Sequence, residues 1–170
     1  MMSSAPGFEE MVAALAEALL QRGEWLAVAE SCTGGWLAET LTARAGSSAW
    51  FDRGFVTYSN AAKQQMLGVP ADTLAAQGAV SEATARAMAN GVLAHSDADW
   101  SVAITGIAGP AGGSPEKPVG MVCFAWAARE KGCEVQTCHF PGDREAVRRQ
   151  SVAQALAGLL ARIAEDGVVA

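Results

Sequence analysis

Histidine and cysteine are scarce in this chain, and the few present are scattered. The histidines are His95 and His139, and the cysteines are Cys32, Cys123, Cys133 and Cys138, with no C-x-x-C pair among them. Zinc ligation needs closer clusters, so no metal and no cofactor are expected. Unclustered cysteines read as reduced and mostly buried, which fits a cytoplasmic protein. Positive charge is also in short supply: 12 lysines and arginines face 18 acidic residues, for a net charge of −6. No basic stripe is present, so nucleic-acid binding is not expected. An anionic small molecule stays open, because local groups can overrule net charge. No apolar run is long enough to span a membrane. The opening Met1–Gly7 lacks the basic and apolar regions of a signal peptide. Internal repeats and an interdomain linker are absent as well.

What is present is a hydrophobic chain of 170 residues, 51% apolar, enough for one domain (residues 1–170) with a sizeable core. Helical and strand patterns alternate. Phe8, Met11, Val12, Leu15 and Leu19 make a helical stripe, closed by Gly23. Trp25–Ala29 reads as a short buried strand, and Gly34 to about Ala43 as the helix after it. Ala49–Tyr58 is strand-forming, bent at Gly54. Ser59-Asn60 caps a short helix from Ala61 to Leu67, Asp72–Gln77 forms a further turn, and Ser81 caps a helix reaching about His95. Trp100–Thr105 is a buried strand, followed by the glycine- and proline-rich Gly106–Pro118. Val119–Ala127 and Cys133–Phe140 read as an antiparallel hairpin. Asp143 caps the last helix, with Val152, Ala155, Leu156, Leu159, Leu160 and Ile163 on its inner stripe. The pattern defines an α/β fold, a three-layer α/β/α sandwich around a mixed central sheet.

The stretch Ala27-Val-Ala-Glu-Ser31-Cys-Thr-Gly-Gly35 is where chemistry is expected. Ser31 sits where a strand ends and a helix begins. The glycines that follow are poor helix formers, each costing roughly 1 kcal/mol against alanine, and one reason to keep them is close approach of another molecule. A helix start also offers unpaired N–H groups, suited to a phosphate or an oxyanion. The same serine would serve equally as a plain N-cap. In open α/β sheets ligands collect at the carboxyl ends of strands. Ser31, Tyr58 with Lys63, Thr105-Gly106 and the opening of the last helix are expected to converge there. Arg148 continues the inner stripe of that helix by one turn and Arg144 by one more, so at least one arginine faces inward, while Arg149 points to solvent.

A nucleophilic serine needs a base. The histidines belong to no evident triad, though neither is excluded, and the G-x-S-x-G elbow is absent. A serine–lysine pair is the remaining option, with Lys63 the best placed, provided burial depresses its pKa from about 10.4. Tyr58 would relay a proton or hold the lysine. Taken alone, Lys63 reads as an exposed helix lysine and Tyr58 as a strand-edge residue. Cys32 is a rival nucleophile whose side chain should point elsewhere.

The segments Ala29-ESCTGG-Trp36, Gly54-FVTYSNAAK-Gln64, Gly78-AVSEATARAMA-Asn90, Ile104-TGIAGPAGGSPEKPV-Gly120 and Gly142-DREAVRRQS-Val152 resemble, in order, the CinA C-terminal domain family. The resemblance covers nearly the whole chain, and the additional N-terminal domain of full-length CinA proteins is not found in it. The resemblance implies a stand-alone nicotinamide mononucleotide (NMN) deamidase, a serine amidohydrolase giving nicotinic acid mononucleotide and ammonia, in pyridine nucleotide recycling. Carried over by motif, Ser31 is the nucleophile, Lys63 the base and Tyr58 a helper. Thr33, Gly34, Gly35, Thr105 and Gly106 would line the pocket. An arginine of the Arg144–Arg148 stretch would meet the phosphate, with Arg148 preferred from its place on the stripe. Two rivals remain: a non-catalytic nucleotide-binding or regulatory domain, which would have no need of a depressed lysine, and an amidase for another small amide. A homo-oligomer is the expected assembly, with Trp36 and Trp50 serving either a subunit contact or the core.

Overall fold

The structure is a computed structural model and describes residues 6–168. Its elements alternate as the patterning requires. Helix α1 (Phe8–Arg22) leads into β1 (Leu26–Glu30) and α2 (Trp36–Thr42). A 3-10 turn at Ser47–Ala49 precedes β2 (Phe51–Val56), followed by α3 (Asn60–Leu67), α4 (Ala71–Gln77) and α5 (Glu82–Ala94). Strands β3 (Trp100–Gly106), β4 (Met121–Ala128) and β5 (Gly132–His139) and helix α6 (Arg144–Val168) complete the chain. Element boundaries match the expected ones within about two residues, the usual uncertainty of such ends.

The five strands form one mixed sheet in the order β2-β1-β3-β4-β5. The first three run parallel, and β4 and β5 add an antiparallel hairpin. Alternation along the strands separates two cores. Leu26 and Val28 of β1, Trp100, Val102 and Ile104 of β3, and Val122, Phe124 and Trp126 of β4 face α1, α2 and α6. Ala27, Ala29, Ala103, Cys123, Ala125 and Ala127 face the layer of α3, α4 and α5. This is the three-layer α/β/α sandwich expected. Small residues on the second face let α5 lie close to the sheet. Clearance is smaller still at Gly91 of α5, where an added Cβ would sit 2.2 Å from the Leu67 carbonyl oxygen of α3.

Successive chain segments leave β1 for β2 on one side and return to β3 on the other. The carboxyl ends of β1 and β3 therefore flank a topological switch point, where a crevice opens. Trp50, a candidate for subunit contact, is a core residue at 1% exposure, and Trp36 packs against that core. No described helix is long and apolar enough to cross a membrane.

Candidate active site

Glu30, the last residue of β1, organises the turn that follows. It is fully buried. Its Oε1 accepts hydrogen bonds from the Thr33 hydroxyl at 2.7 Å, the Gly35 N–H at 3.2 Å and the Leu37 N–H at 2.8 Å. Its Oε2 accepts from the Ala38 N–H at 3.0 Å. A carboxylate at a helix start satisfies orphan donors and meets the positive end of the helix dipole. This corrects the expectation that the helix start is free for a phosphate or oxyanion, because its donors already have an internal anion. Sequence reasoning passed over Glu30, which lies at the end of an apolar run. The signal available was an acid one residue before the serine and just ahead of a helix, where a carboxylate can cap.

The glycines of the turn have a second explanation. Gly34 and Gly35 hold φ of 60° and 106°, conformations that other residues adopt only with strain. Nothing crowds them: added Cβ atoms would lie 3.6 Å from Arg148 Nη2 and 3.8 Å from Val56 Cγ2. Backbone conformation, rather than close approach of a ligand, requires glycine here, and neither residue lines the cavity described below.

The turn delivers Ser31 to the crevice. Strand β2 delivers Thr57 and Tyr58 beside it, and the Ser59 side chain caps α3 by accepting from the Ala62 N–H at 3.0 Å. One turn into α3 stands Lys63, which is 1% exposed, so the exposed-lysine reading does not hold. Lys63 Nζ lies 3.0 Å from Ser31 Oγ, 2.8 Å from the Thr57 carbonyl oxygen and 3.1 Å from the Tyr58 carbonyl oxygen. Burial lowers the pKa of this amine, because desolvation penalises the cation. A neutral amine has two N–H donors and one lone pair. With the two carbonyls accepting those N–H groups, the neutral form of the amine has its lone pair available to take the serine proton.

A cavity of about 240 Å³ opens over this pair. Its lining includes Ser31, Cys32, Tyr58, Lys63, Thr105 and Gly106. Ala79 and Val80, ahead of α5, and Ile107–Gly109 and Arg144 complete most of the wall. The Thr105 hydroxyl donates to the Ala79 carbonyl at 2.8 Å, which ties the segment before α5 to the end of β3. Thr33 is buried behind the turn. Tyr58 is 61% exposed, and its phenol oxygen accepts from Arg144 Nη2 at 3.2 Å. It touches Lys63 through its backbone carbonyl alone. Arg144 also donates to the Gly109 carbonyl at 2.8 Å.

Arg148 does not line the cavity. It faces inward, as the stripe indicated, but what it meets is the turn itself. Its Nε and Nη2 donate to the carbonyls of Cys32 and Thr33, each at 3.1 Å. The inward-facing arginine and the cavity arginine are therefore different residues. The other candidates for base or nucleophile lie apart or are inert. His95 is turned to the Gly91 carbonyl at the end of α5, 2.8 Å away, and neither histidine lines the cavity. Burial pushes the Cys32 thiol up to about 11, so it stays protonated at neutral pH. Among the described residues no group of three or more His, Cys, Asp or Glu side chains could hold a metal ion.

The chain, an open α/β sheet with a serine–lysine pair at its switch point, belongs to the CinA C-terminal domain family: the family model matches residues 8–163. Among its relatives, the nicotinamide-nucleotide amidohydrolase PncC of Escherichia coli strain K12 is 60% identical over 141 residues, covering 82% of this chain and 85% of that protein. The protein of the same name from Enterobacter agglomerans is 54% identical over 142 residues, covering 84% and 87%. The competence damage-inducible protein A of Klebsiella pneumoniae superposes with a TM-score of 0.90 at 45% identity, over 94% of this chain and 98% of that one.

Proposed function

We propose that the chain is a nicotinamide-nucleotide amidohydrolase that converts NMN and water to nicotinic acid mononucleotide and ammonia, with Ser31 as nucleophile and Lys63 as base. The name shared by relatives up to 60% identical supports the reaction. The observation that carries the residue roles is the Lys63 amine, buried without an acidic partner and 3.0 Å from Ser31 Oγ. A non-catalytic nucleotide binder has no use for such a lysine, since burying its charge only destabilises the fold.

In this reading Ser31 Oγ attacks the carboxamide carbon while Lys63 Nζ takes the hydroxyl proton. The tetrahedral oxyanion is met by backbone N–H groups around the cavity. The Cys32 N–H directly follows the nucleophile and makes no backbone–backbone hydrogen bond among the described residues. The intermediate collapses, the C–N bond breaks, and Lys63 returns its proton to the departing ammonia. A water, deprotonated by Lys63, then attacks the Ser31 ester, the Oγ–acyl bond breaks, Lys63 returns its proton to Ser31 Oγ, and the carboxylate is released. Arg144 and the loop from Gly109 to Gly112 hold the substrate phosphate. The Tyr58 ring lies against the cationic nicotinamide ring at the cavity mouth. Thr105 and Gly106 shape the wall, while Thr33, Gly34 and Gly35 build the turn that carries Ser31. The enzyme works in the cytoplasm as a homo-oligomer of one domain, 1–170, in pyridine nucleotide recycling, without nucleic acid.

The test is ammonia release from NMN by wild type, Ser31→Ala and Lys63→Ala. Turnover in the wild type that falls by at least about 100-fold in each variant supports the assignment. Turnover that survives in either variant removes that residue from its role.

A further inference from the structure

We infer that Arg148 is a positioning residue for the nucleophile turn and makes no contact with the substrate, a role that rests on Ser31 being the nucleophile. Two opposite charges hold this turn by its complementary groups. Glu30 collects donors: the Thr33 hydroxyl and the N–H groups of Gly35, Leu37 and Ala38. Arg148 collects acceptors, the carbonyls of Cys32 and Thr33, the two residues directly after Ser31. Both bonds come from one planar guanidinium, whose fixed fork geometry sets two peptide planes at once. In a trans peptide the C=O and the following N–H point to opposite sides of one plane. Holding the Cys32 and Thr33 carbonyls thus also fixes the directions of the Thr33 and Gly34 N–H groups, and the Gly34 N–H closes the turn on the Ser31 carbonyl at 3.0 Å.

The guanidinium is itself held. Its Cζ lies 5.3 Å from the centroid of the Trp36 ring, a cation–π distance, and Trp36 is the first residue of α2. The route from Val152 and the rest of the inner stripe of α6 to Ser31 is therefore short and made of rigid parts. It runs from helix α6 through the guanidinium to two peptide planes and then to the serine. The Nε–Nη2 edge of the guanidinium is taken up by the turn, and the cavity lining contains Arg144 and not Arg148. What Arg148 supplies is the placement of Ser31 Oγ against Lys63 Nζ, and errors of about 1 Å in such placements lower rates by about 100-fold.

The experiment compares wild type, Arg148→Lys and Arg148→Met. It measures kcat and KM for NMN, the inhibition constant of ribose 5-phosphate as a probe of phosphate binding, and thermal unfolding as a control. A positioning role gives a kcat at least about tenfold lower in Arg148→Met, with KM and ribose 5-phosphate inhibition within about twofold of wild type. Arg148→Lys, which offers a point charge in place of the fork, recovers part of kcat. A raised KM with weakened ribose 5-phosphate inhibition and an unchanged kcat makes Arg148 a phosphate ligand and overturns the inference. If Arg148→Met does not fold, Arg148→Lys decides by the same split: lowered kcat with intact inhibition supports the role, and weakened inhibition overturns it. A folded wild type that releases no ammonia from NMN overturns the functional reading itself, and this role with it.

Discussion

Lys63 Nζ and Ser31 Oγ lie 3.0 Å apart although 32 residues separate them in the chain. Two neighbouring parallel strands, β1 and β2, place them: one ends next to the serine, and the other ends at Val56, from which the chain leads into the first turn of α3 and the lysine. The Glu30 carbonyl accepts the Thr57 N–H at 2.8 Å, so the pairing of the strands continues to the residues beside the serine–lysine pair. The nearest groups to the amine are neutral acceptors, and this sets its acid–base behaviour.

The first prediction concerns pH. Burial holds the Lys63 pKa below its ordinary range, so kcat/KM for NMN is expected to rise with pH through that lowered value and level off below about 10.4. The same displacement affects stability. Between the lowered and the ordinary value the folded state binds fewer protons than the unfolded chain. The stability tied to Lys63 is complete above the ordinary value and is lost as pH falls through the lowered one. Urea unfolding of wild type and Lys63→Met across pH measures this: the difference, wild type minus variant, should grow with pH. A flat difference would show that the lysine titrates normally.

Arg144 should control substrate affinity. Arg144→Ala is expected to raise KM for NMN by about 10- to 100-fold, the loss of about 1.5–3 kcal/mol for a charged hydrogen bond, with a smaller change in kcat. Steady-state kinetics checks this, and an unchanged KM would place the phosphate elsewhere. Tyr58→Phe should be mild, within about tenfold in kcat/KM, because the backbone carbonyl of Tyr58 is what touches Lys63.

Glu30→Gln replaces two acceptor oxygens with one and sets an amide N–H₂ against donors that need a carboxylate. Buried and facing four donors, the change should destabilise the fold by about 2–3 kcal/mol, lowering Tm by about 4–12 °C. Differential scanning calorimetry measures it. A Tm within about 1 °C of wild type would mean that the turn does not depend on this carboxylate.

Gly91→Ala tests how α3 is held. The added methyl would meet the Leu67 carbonyl oxygen at 2.2 Å, and backbone cannot give way as a side chain does. A stability loss of about 1–3 kcal/mol is expected from overpacking. Because Leu67 lies one turn after Lys63 on α3, kcat should fall as well, while KM changes little. Retained kcat in a destabilised variant would show that Lys63 is held independently of the end of α3.

Periodicity carried most of the fold into view. The α1 stripe, the α6 stripe and the β4–β5 hairpin were all legible, because each element buries one face against the sheet and the spacing of apolar residues records which. Ser31, Tyr58, Lys63, Thr105 and Gly106 were legible as residues at strand exits. Less legible was what a given face meets. The α6 stripe showed that Arg148 turns inward, but periodicity cannot tell a turn carbonyl from a substrate phosphate, and the cavity arginine is Arg144. Ala79 and Val80 carry no chemical signature, and they reach the cavity because the segment before α5 folds over the end of β3. Glu30 was hidden by its neighbours: a strand end buried on both faces gives no polar pattern to mark the acid that caps the next helix.

During turnover Ser31 should become covalently attached to the acid part of the substrate. The most direct measurement is intact-protein mass spectrometry after rapid acid quench of enzyme turning over NMN, with Ser31→Ala and Lys63→Ala in parallel. The account predicts a transient adduct of the nicotinic acid mononucleotide acyl group in the wild type, mapped to the peptide containing Ser31 and absent from Ser31→Ala. Full ammonia release by Ser31→Ala, or an adduct mapped to Cys32, would contradict it.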